Sequence, residues 1–198
     1  MHRQNRRARH IPCNSSRSPI YVTTPCHLIL SILVSRHRTA TIEDLPAIVE
    51  IYNSTIASRR VTADTEPISV ESRNTWFYEH NPDNRPLWVI EGEQHEIVGW
   101  LSFSDFYGRP AYSGTAELSI YLHENARGKG LGKYFLREAI AYAPQIKVHT
   151  LLGFIFGHNT PSLNLFAGFN FQIWANMPGV ATLDGIERDL IIFGKRVN

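Results

Sequence analysis

Cysteine is nearly absent from this 198-residue chain: Cys13 and Cys26 are its two examples, and residues 39 to 198 have none. The folded part therefore cannot be a disulfide scaffold or a Cys-ligated zinc protein, no metal is expected, and a reducing, cytoplasmic setting fits. Acidic residues are missing from residues 1 to 38, which carry seven arginines (Arg3, Arg6, Arg7, Arg9, Arg17, Arg36 and Arg38). The rest of the chain holds 13 Lys and Arg against 18 Asp and Glu, so the net charge of +2 belongs to the tail. A nucleic-acid binder would carry its excess of cations on the folded part, and this chain does not. Long apolar runs are missing too. Leu28 to Val34 is broken by Ser31 and is too short to span a bilayer, so no membrane partner is expected. There is no internal repeat.

What is present is a globular composition, 43% hydrophobic and 19% charged, of a length that suits one domain and a tail. The boundary is expected near residue 39, with residues 39 to 198 as the domain. The tail, residues 1 to 38, admits three readings: a targeting peptide, which would leave organelle delivery open, a signal-like segment, or an over-extended translation start. Its last residues are expected to supply a first strand.

The organised part opens at TATIEDLPAIVEIYNSTIA, where Thr41 and Asp44 resemble a capping box and Ile48, Ile51, Tyr52 and Ile56 recur at helical spacing. A second helix is predicted at VESRNTWFYEH, with Ser69 as N-cap. LWVIE and EIVGWLSFSD, joined by GEQH, read as a β-hairpin. TAELSIYL alternates Ala116, Leu118, Ile120 and Leu122 with Glu117, Ser119 and Tyr121, which gives a strand with one dry and one polar face. A helix with the apolar stripe Leu131, Phe135, Leu136, Ala139, Ile140 and Ala143 follows and ends at Pro144. The fully apolar TLLGFIF suits a buried strand, PSLNLFAGF a short helix opened by Pro161, and FQIWANM and ERDLIIFGK two last strands. The fold class is α/β, a mixed sheet with helices on both faces.

The chemistry is expected in ARGKGLGKY, residues 126 to 134. A Walker loop needs a glycine five residues before Gly132, where Arg127 stands, and a hydroxyl after Lys133, where Tyr134 stands. A dinucleotide fingerprint needs its third glycine where Lys133 stands. What remains is Arg/Gln-x-x-Gly-x-Gly, on Arg127, Gly130 and Gly132, joining a half-polar strand to a helix. Glycines there let successive N–H groups converge on one anion, and the helix N-terminus adds its positive dipole end. A turn without a ligand would explain one or two glycines, but not three in five residues flanked by Arg127 and Lys133.

TAELSIYL, RGKGLG and GHNTPSLNLF, in that order, resemble the GNAT N-acetyltransferase superfamily. Through IEDLPAIVEIYN, VTADTEP, WLSFSDFYGRPAY and LDGIERDL the chain is similar to its phosphinothricin and methionine sulfoximine acetyltransferase branch, from about Thr39 to Val197. The resemblance implies the GNAT acyl-CoA N-acyltransferase fold, with a central, mostly antiparallel sheet, and acetyl-CoA as cosubstrate. It implies that Ile120, Tyr121 and Leu122 meet the pantetheine arm and that Arg127, Gly128, Lys129, Gly130, Leu131, Gly132 and Lys133 surround the pyrophosphate. Asn159 and Ser162 would touch the arm from the other side, although helix capping is the competing role for Asn159 and for Thr160. Glu117 stands where the resembling enzymes carry a catalytic Glu, and is the candidate general base.

For a small amine substrate, Arg109 with Tyr107, Tyr112 and Ser119 is the expected pocket, with Arg59 and Arg60 as further cations. Many members place a Tyr at Phe166, where it protonates the leaving thiolate, and the branch usually has Gly at Asn170. The resembling enzymes are commonly homodimers. Two other activities stay open: acetylation of protein N-termini or Lys side chains, and a non-catalytic acetyl-CoA-binding regulator.

Overall fold

The computed structural model describes residues 37–197. Cys13, Cys26, the Leu28 to Val34 run and all the tail arginines except Arg38 lie outside the described residues. Among the described residues, seven strands form one sheet, in chain order β1 (His37–Thr39), β2 (Leu87–Glu91), β3 (Ile97–Asp105), β4 (Thr115–Leu122), β5 (Thr150–Phe156), β6 (Gln172–Leu183) and β7 (Ile186–Arg196). Four helices accompany them: α1 (Leu45–Ile56), α2 (Asn74–Glu79), α3 (Leu131–Tyr142) and α4 (Thr160–Gly168). The strand order is β1-β2-β3-β4-β5-β7-β6, and β4 with β5 is the single parallel pair.

Alternation along the strands divides the side chains between two layers. Trp88, Ile90, Leu101, Phe103, Ala116 and Leu118 face α3 and α4, where Phe135, Leu136 and Phe166 complete a dry core. Leu87, Val89 and Trp100 face the other way, against Ile48, Ile51 and Ile56 of α1 and Trp76 and Phe77 of α2. Helices therefore cover both faces, as the pattern of the sequence requires.

Local chemistry explains the ends of the elements. Thr41 and Asp44 do form the capping box, but it opens a 3₁₀ turn, so α1 begins at Leu45 and is shorter than the predicted helix. Ser69 accepts a hydrogen bond from the Ser72 amide at 3.2 Å, ahead of the 3₁₀ turn that leads into α2. The last two strands are longer than FQIWANM and ERDLIIFGK, and meet at a two-residue turn in which Asp184 and Gly185 have φ of 51° and 78°. An Asp-Gly pair is a strong hairpin signal.

β1 begins at His37, two residues inside the expected tail, and pairs with β2. Arg38 donates to both oxygens of Asp44, at 2.6 and 2.9 Å, and to Glu91 at 2.7 Å. The His37 ring lies 2.9 Å from the Tyr134 hydroxyl of α3. Among the described residues, no helix is long and apolar enough to cross a membrane.

Candidate active site

The alternation of β4 sends Glu117, Ser119 and Tyr121 away from the dry core and into a cavity of about 210 Å³. Ile48, Val49 and Tyr52 of α1 form one wall, Ile68, Arg73 and Trp76 a second, and Trp100, Ser102 and Ser104 of β3 the floor beside β4. The aromatic groups are locked in place. Trp100 donates its indole N–H to the Ile48 carbonyl at 3.1 Å, and Tyr121 stacks on it at 4.4 Å with a 16° interplanar angle. Tyr52 sits 5.1 Å from Tyr121, and its hydroxyl donates to Asp64 at 2.5 Å and also meets Thr62.

None of the hydrogen bonds or ion pairs among the described residues reaches the Glu117 carboxylate. Burial alone pushes its pKa above the ordinary carboxylate range, because the charged form loses water without gaining a partner. That is the environment of a carboxylate poised to take a proton from a substrate. Burial likewise raises the Tyr52 and Tyr121 phenols, so both remain protonated.

The other half of the site is a gap in the sheet. β4 pairs with β5 only from Thr115 to Glu117, after which β5 follows β7 alone. The edge of β4 from Leu118 to Leu122 therefore has no ladder partner on that side, and Ile120, Tyr121 and Leu122 lie along it. At its end the chain turns through the glycine loop into α3. Gly128 and Gly130 have φ of 74° and 86°, and Gly130 is the N-cap. In this left-handed region a side chain would be strained, so the loop conformation itself requires glycine. The first four amides of a helix have no partner within it, and those of residues 128 to 130 donate to no described backbone group. The run of amides from Gly128 to Lys133 is thus free to donate to an anion, with Lys129 and Lys133 exposed beside it.

Other expected residues are placed differently. The Arg127 Nε–H turns back to the Leu122 carbonyl at 3.1 Å, which braces the loop against β4. Asn159, not Thr160, is the N-cap of α4, and its side-chain oxygen accepts the Ser162 amide at 3.3 Å. Phe166 is buried, packed on Phe171 at 4.9 Å and against Gly153, and carries no hydroxyl. Asn170 takes φ of 60°, the left-handed conformation that Asn tolerates best after Gly.

On the substrate side, the structure brings Ser119 to Glu117 but leaves Tyr107, Arg109 and Tyr112 off the cavity wall. They occupy an exposed loop after β3, where Phe106 packs on both tyrosines at 4.6 and 5.4 Å. Arg59 is paired with Asp184 at 2.8 Å, and Arg60 is exposed. The cation that does line the cavity is Arg73, which sequence reasoning missed. Its signal was local: Arg73 and Trp76 are three residues apart in a helical segment and so share a face. A second, more open groove of about 520 Å³ lies between α4 and β7, beside Arg188, and none of the expected site residues lines it.

Residues 48–171 match the model of the Acetyltransferase (GNAT) family. The chain belongs to that family. This GNAT chain is 52% identical over 161 residues to YwnH of Bacillus subtilis, provisionally named a phosphinothricin acetyltransferase, across 81% of this chain and 98% of that one. It is 30% identical to the L-methionine sulfoximine/L-methionine sulfone acetyltransferase of Pseudomonas paraeruginosa, across 77% and 89% of the two chains. Among solved structures it superposes on a GNAT superfamily phosphinothricin acetyltransferase from Sinorhizobium meliloti, in complex with acetyl-CoA, with a TM-score of 0.79. That pair is 26% identical over 83% of this chain and 89% of the other. The protein is thus a GNAT acetyltransferase, close to the phosphinothricin and methionine sulfoximine branch.

Proposed function

We propose that this GNAT enzyme transfers the acetyl group of acetyl-CoA to the amino group of a small amino-acid-like substrate of the phosphinothricin or methionine sulfoximine type. The observation that carries the proposal is the unpaired Glu117 carboxylate in a small cavity, next to a strand edge and an amide cradle of the right chemistry for a pantetheine and a pyrophosphate. The relatives' own substrates support the choice of amine.

In this reading the β4 edge at Ile120, Tyr121 and Leu122 hydrogen-bonds the pantetheine amides, and the amides of residues 128 to 133 hold the pyrophosphate, with Lys129 and Lys133 adding charge. Arg127 holds that loop in register. Asn159 and Ser162, joined at the start of α4, meet the arm from the other side. When bound, acetyl-CoA supplies an acyl carbon already activated as a thioester. Glu117 takes a proton from the substrate ammonium, so that the nitrogen lone pair can attack that carbon; the C–S bond breaks as the N–C bond forms, the second proton lost by the nitrogen goes to the departing thiolate, and Ser119 orients the amine beside Glu117. Arg109, Tyr107 and Tyr112 act from the neighbouring loop at the mouth.

Thiol release from acetyl-CoA, measured with a panel of free amino-acid analogues, peptides and Lys-containing proteins, tests the reading. Turnover confined to small amines supports it. Turnover only with peptides would replace it with protein N-acetylation, and tight acetyl-CoA binding without turnover would make the protein a regulator. The reading includes a homodimer, supported by the exposed Ile173, Trp174, Met177 and Val180 on β6; a monomer in sedimentation would remove that part. It also includes a cytoplasmic location with residues 1 to 38 outside the domain. Mass measurement of the mature N-terminus and cell fractionation check both.

A further inference from the structure

Three of the described arginines that meet acidic groups are held there by hydrogen bonds. Arg38, Arg59 and Arg85 are engaged: Arg38 by Asp44 and Glu91, Arg59 by Asp184 at 2.8 Å, and Arg85 by Asp105 at 2.5 Å and the Ser113 carbonyl at 2.8 Å. Arg73 is different. Its guanidinium carbon lies 4.9 Å from the centre of the Tyr52 ring and 5.5 Å from that of Trp76, so packing on two rings fixes the orientation of the group. Its nearest acidic oxygen, on Asp64, is 3.7 Å away, beyond hydrogen-bond range, and already accepts the Tyr52 hydroxyl. No hydrogen bond among the described residues uses any N–H of its guanidinium. The result is a cation with its face packed and its donor fork open, lining the same cavity as Glu117.

We infer that Arg73 anchors an oxyanion of the substrate, a carboxylate or a side-chain phosphinyl or sulfonyl oxygen, and so makes the cavity select amphoteric amino acids over simple amines. The inference rests on the reading of this cavity as the amine site. Among the described residues, Arg73 is the sole cation on the cavity wall and Glu117 the sole acid, with the rings of Tyr52, Trp76, Trp100 and Tyr121 supplying the apolar surface between. A ligand with an amine at one end, a short uncharged stem and an oxyanion at the other satisfies both. A monoamine leaves the guanidinium without an acceptor, and a long peptide does not fit about 210 Å³. The planar fork gives two parallel donors to a carboxylate or phosphinate, a geometry an ammonium does not reproduce.

The test uses the wild-type chain, Arg73→Gln and Arg73→Lys, with L-methionine sulfone, its carboxamide and phosphinothricin as probes and thiol release as readout. Wild type is expected to favour the free acid over the carboxamide by roughly a hundredfold in kcat/KM, the scale of charge-assisted hydrogen bonds. Arg73→Gln should bring the two within a few-fold, through a higher KM, with kcat and acetyl-CoA affinity unchanged; Arg73→Lys should fall between. If Arg73 instead holds a side-chain oxyanion, the preference for phosphinothricin over methionine sulfone is the one that collapses. Survival of both preferences in Arg73→Gln, with folding verified by circular dichroism, overturns the assignment and leaves the acetyltransferase reading standing. Failure of wild type to acetylate any of the three amines overturns both.

Discussion

The two faces of the sheet carry opposite designs. Against α3 and α4 the space is filled: Phe103, Phe135, Leu101 and Leu136 are fully buried. Against α1 and α2 the apolar cluster is smaller, and a cavity walled by the rings of Tyr52, Trp76, Trp100 and Tyr121 and holding Glu117 and Arg73 is left open. One strand serves both, since β4 gives Ala116 and Leu118 to the first face and Glu117 and Ser119 to the second. The difference teaches that stability and chemistry are separated by strand parity: the dry face holds the sheet rigid, and the open face can then carry a carboxylate with no partner.

Four substitutions would break or sharpen that division, beginning with the largest effect. Glu117→Gln should lower kcat/KM about a hundred- to ten-thousand-fold at neutral pH, as loss of a general base does. The same change should raise Tm. A carboxyl whose folded pKa lies above its unfolded value binds more protons when folded, so stability falls as pH rises from the unfolded value through the folded one. The variant should thus be more stable than wild type at neutral pH and equal to it in acid, and equal Tm at both would show that the Glu117 environment has been misread. On the filled face, Phe135→Ala should cost about 3–5 kcal/mol in chemical unfolding. Its residual folded fraction should retain the wild-type KM for the amine, and a KM change would mean that the faces are coupled.

A smaller effect is expected at the edge of the sheet. Arg38→Gln should cost about 1–2 kcal/mol, because it leaves the largely buried Asp44 carboxylate without its main donor. Arg38 holds the Asp44 pKa below its ordinary value. That contribution is present above the unfolded Asp pKa and is lost as pH falls through the folded one, so the gap between variant and wild type should close in acid. A gap that persists unchanged at low pH would contradict the ion-pair account. It also bears on the boundary, since a chain beginning at Thr39 lacks both Arg38 and β1. Asn170→Gly should stabilise by roughly 0.5 kcal/mol by relieving the left-handed φ, with no change in rate.

Much of this was legible in the residues. LWVIE, TAELSIYL and TLLGFIF coincide with β2, β4 and β5, because period-2 alternation and short apolar runs depend on neighbouring residues alone. The glycine loop was legible too, since positive φ at Gly128 and Gly130 is a local demand. The substrate side was not. Arg109 looked well placed because it adjoins two tyrosines in sequence, yet the chain carries that trio out to an exposed loop. Arg73 sits far from Glu117 along the chain, and only the packing of the start of α2 over β3 and β4 brings them to one cavity.

By itself, then, the sequence determined the elements, the parity of β4, the conformation of the glycine loop and the family. Tertiary structure decided where β4 and β5 part, which arginine shares a cavity with the carboxylate, and that Glu117 would be half-buried without a partner. The reason is one of range: backbone geometry and side-chain alternation are set within a few residues, whereas solvation and charge pairing depend on groups that only the folded chain brings together.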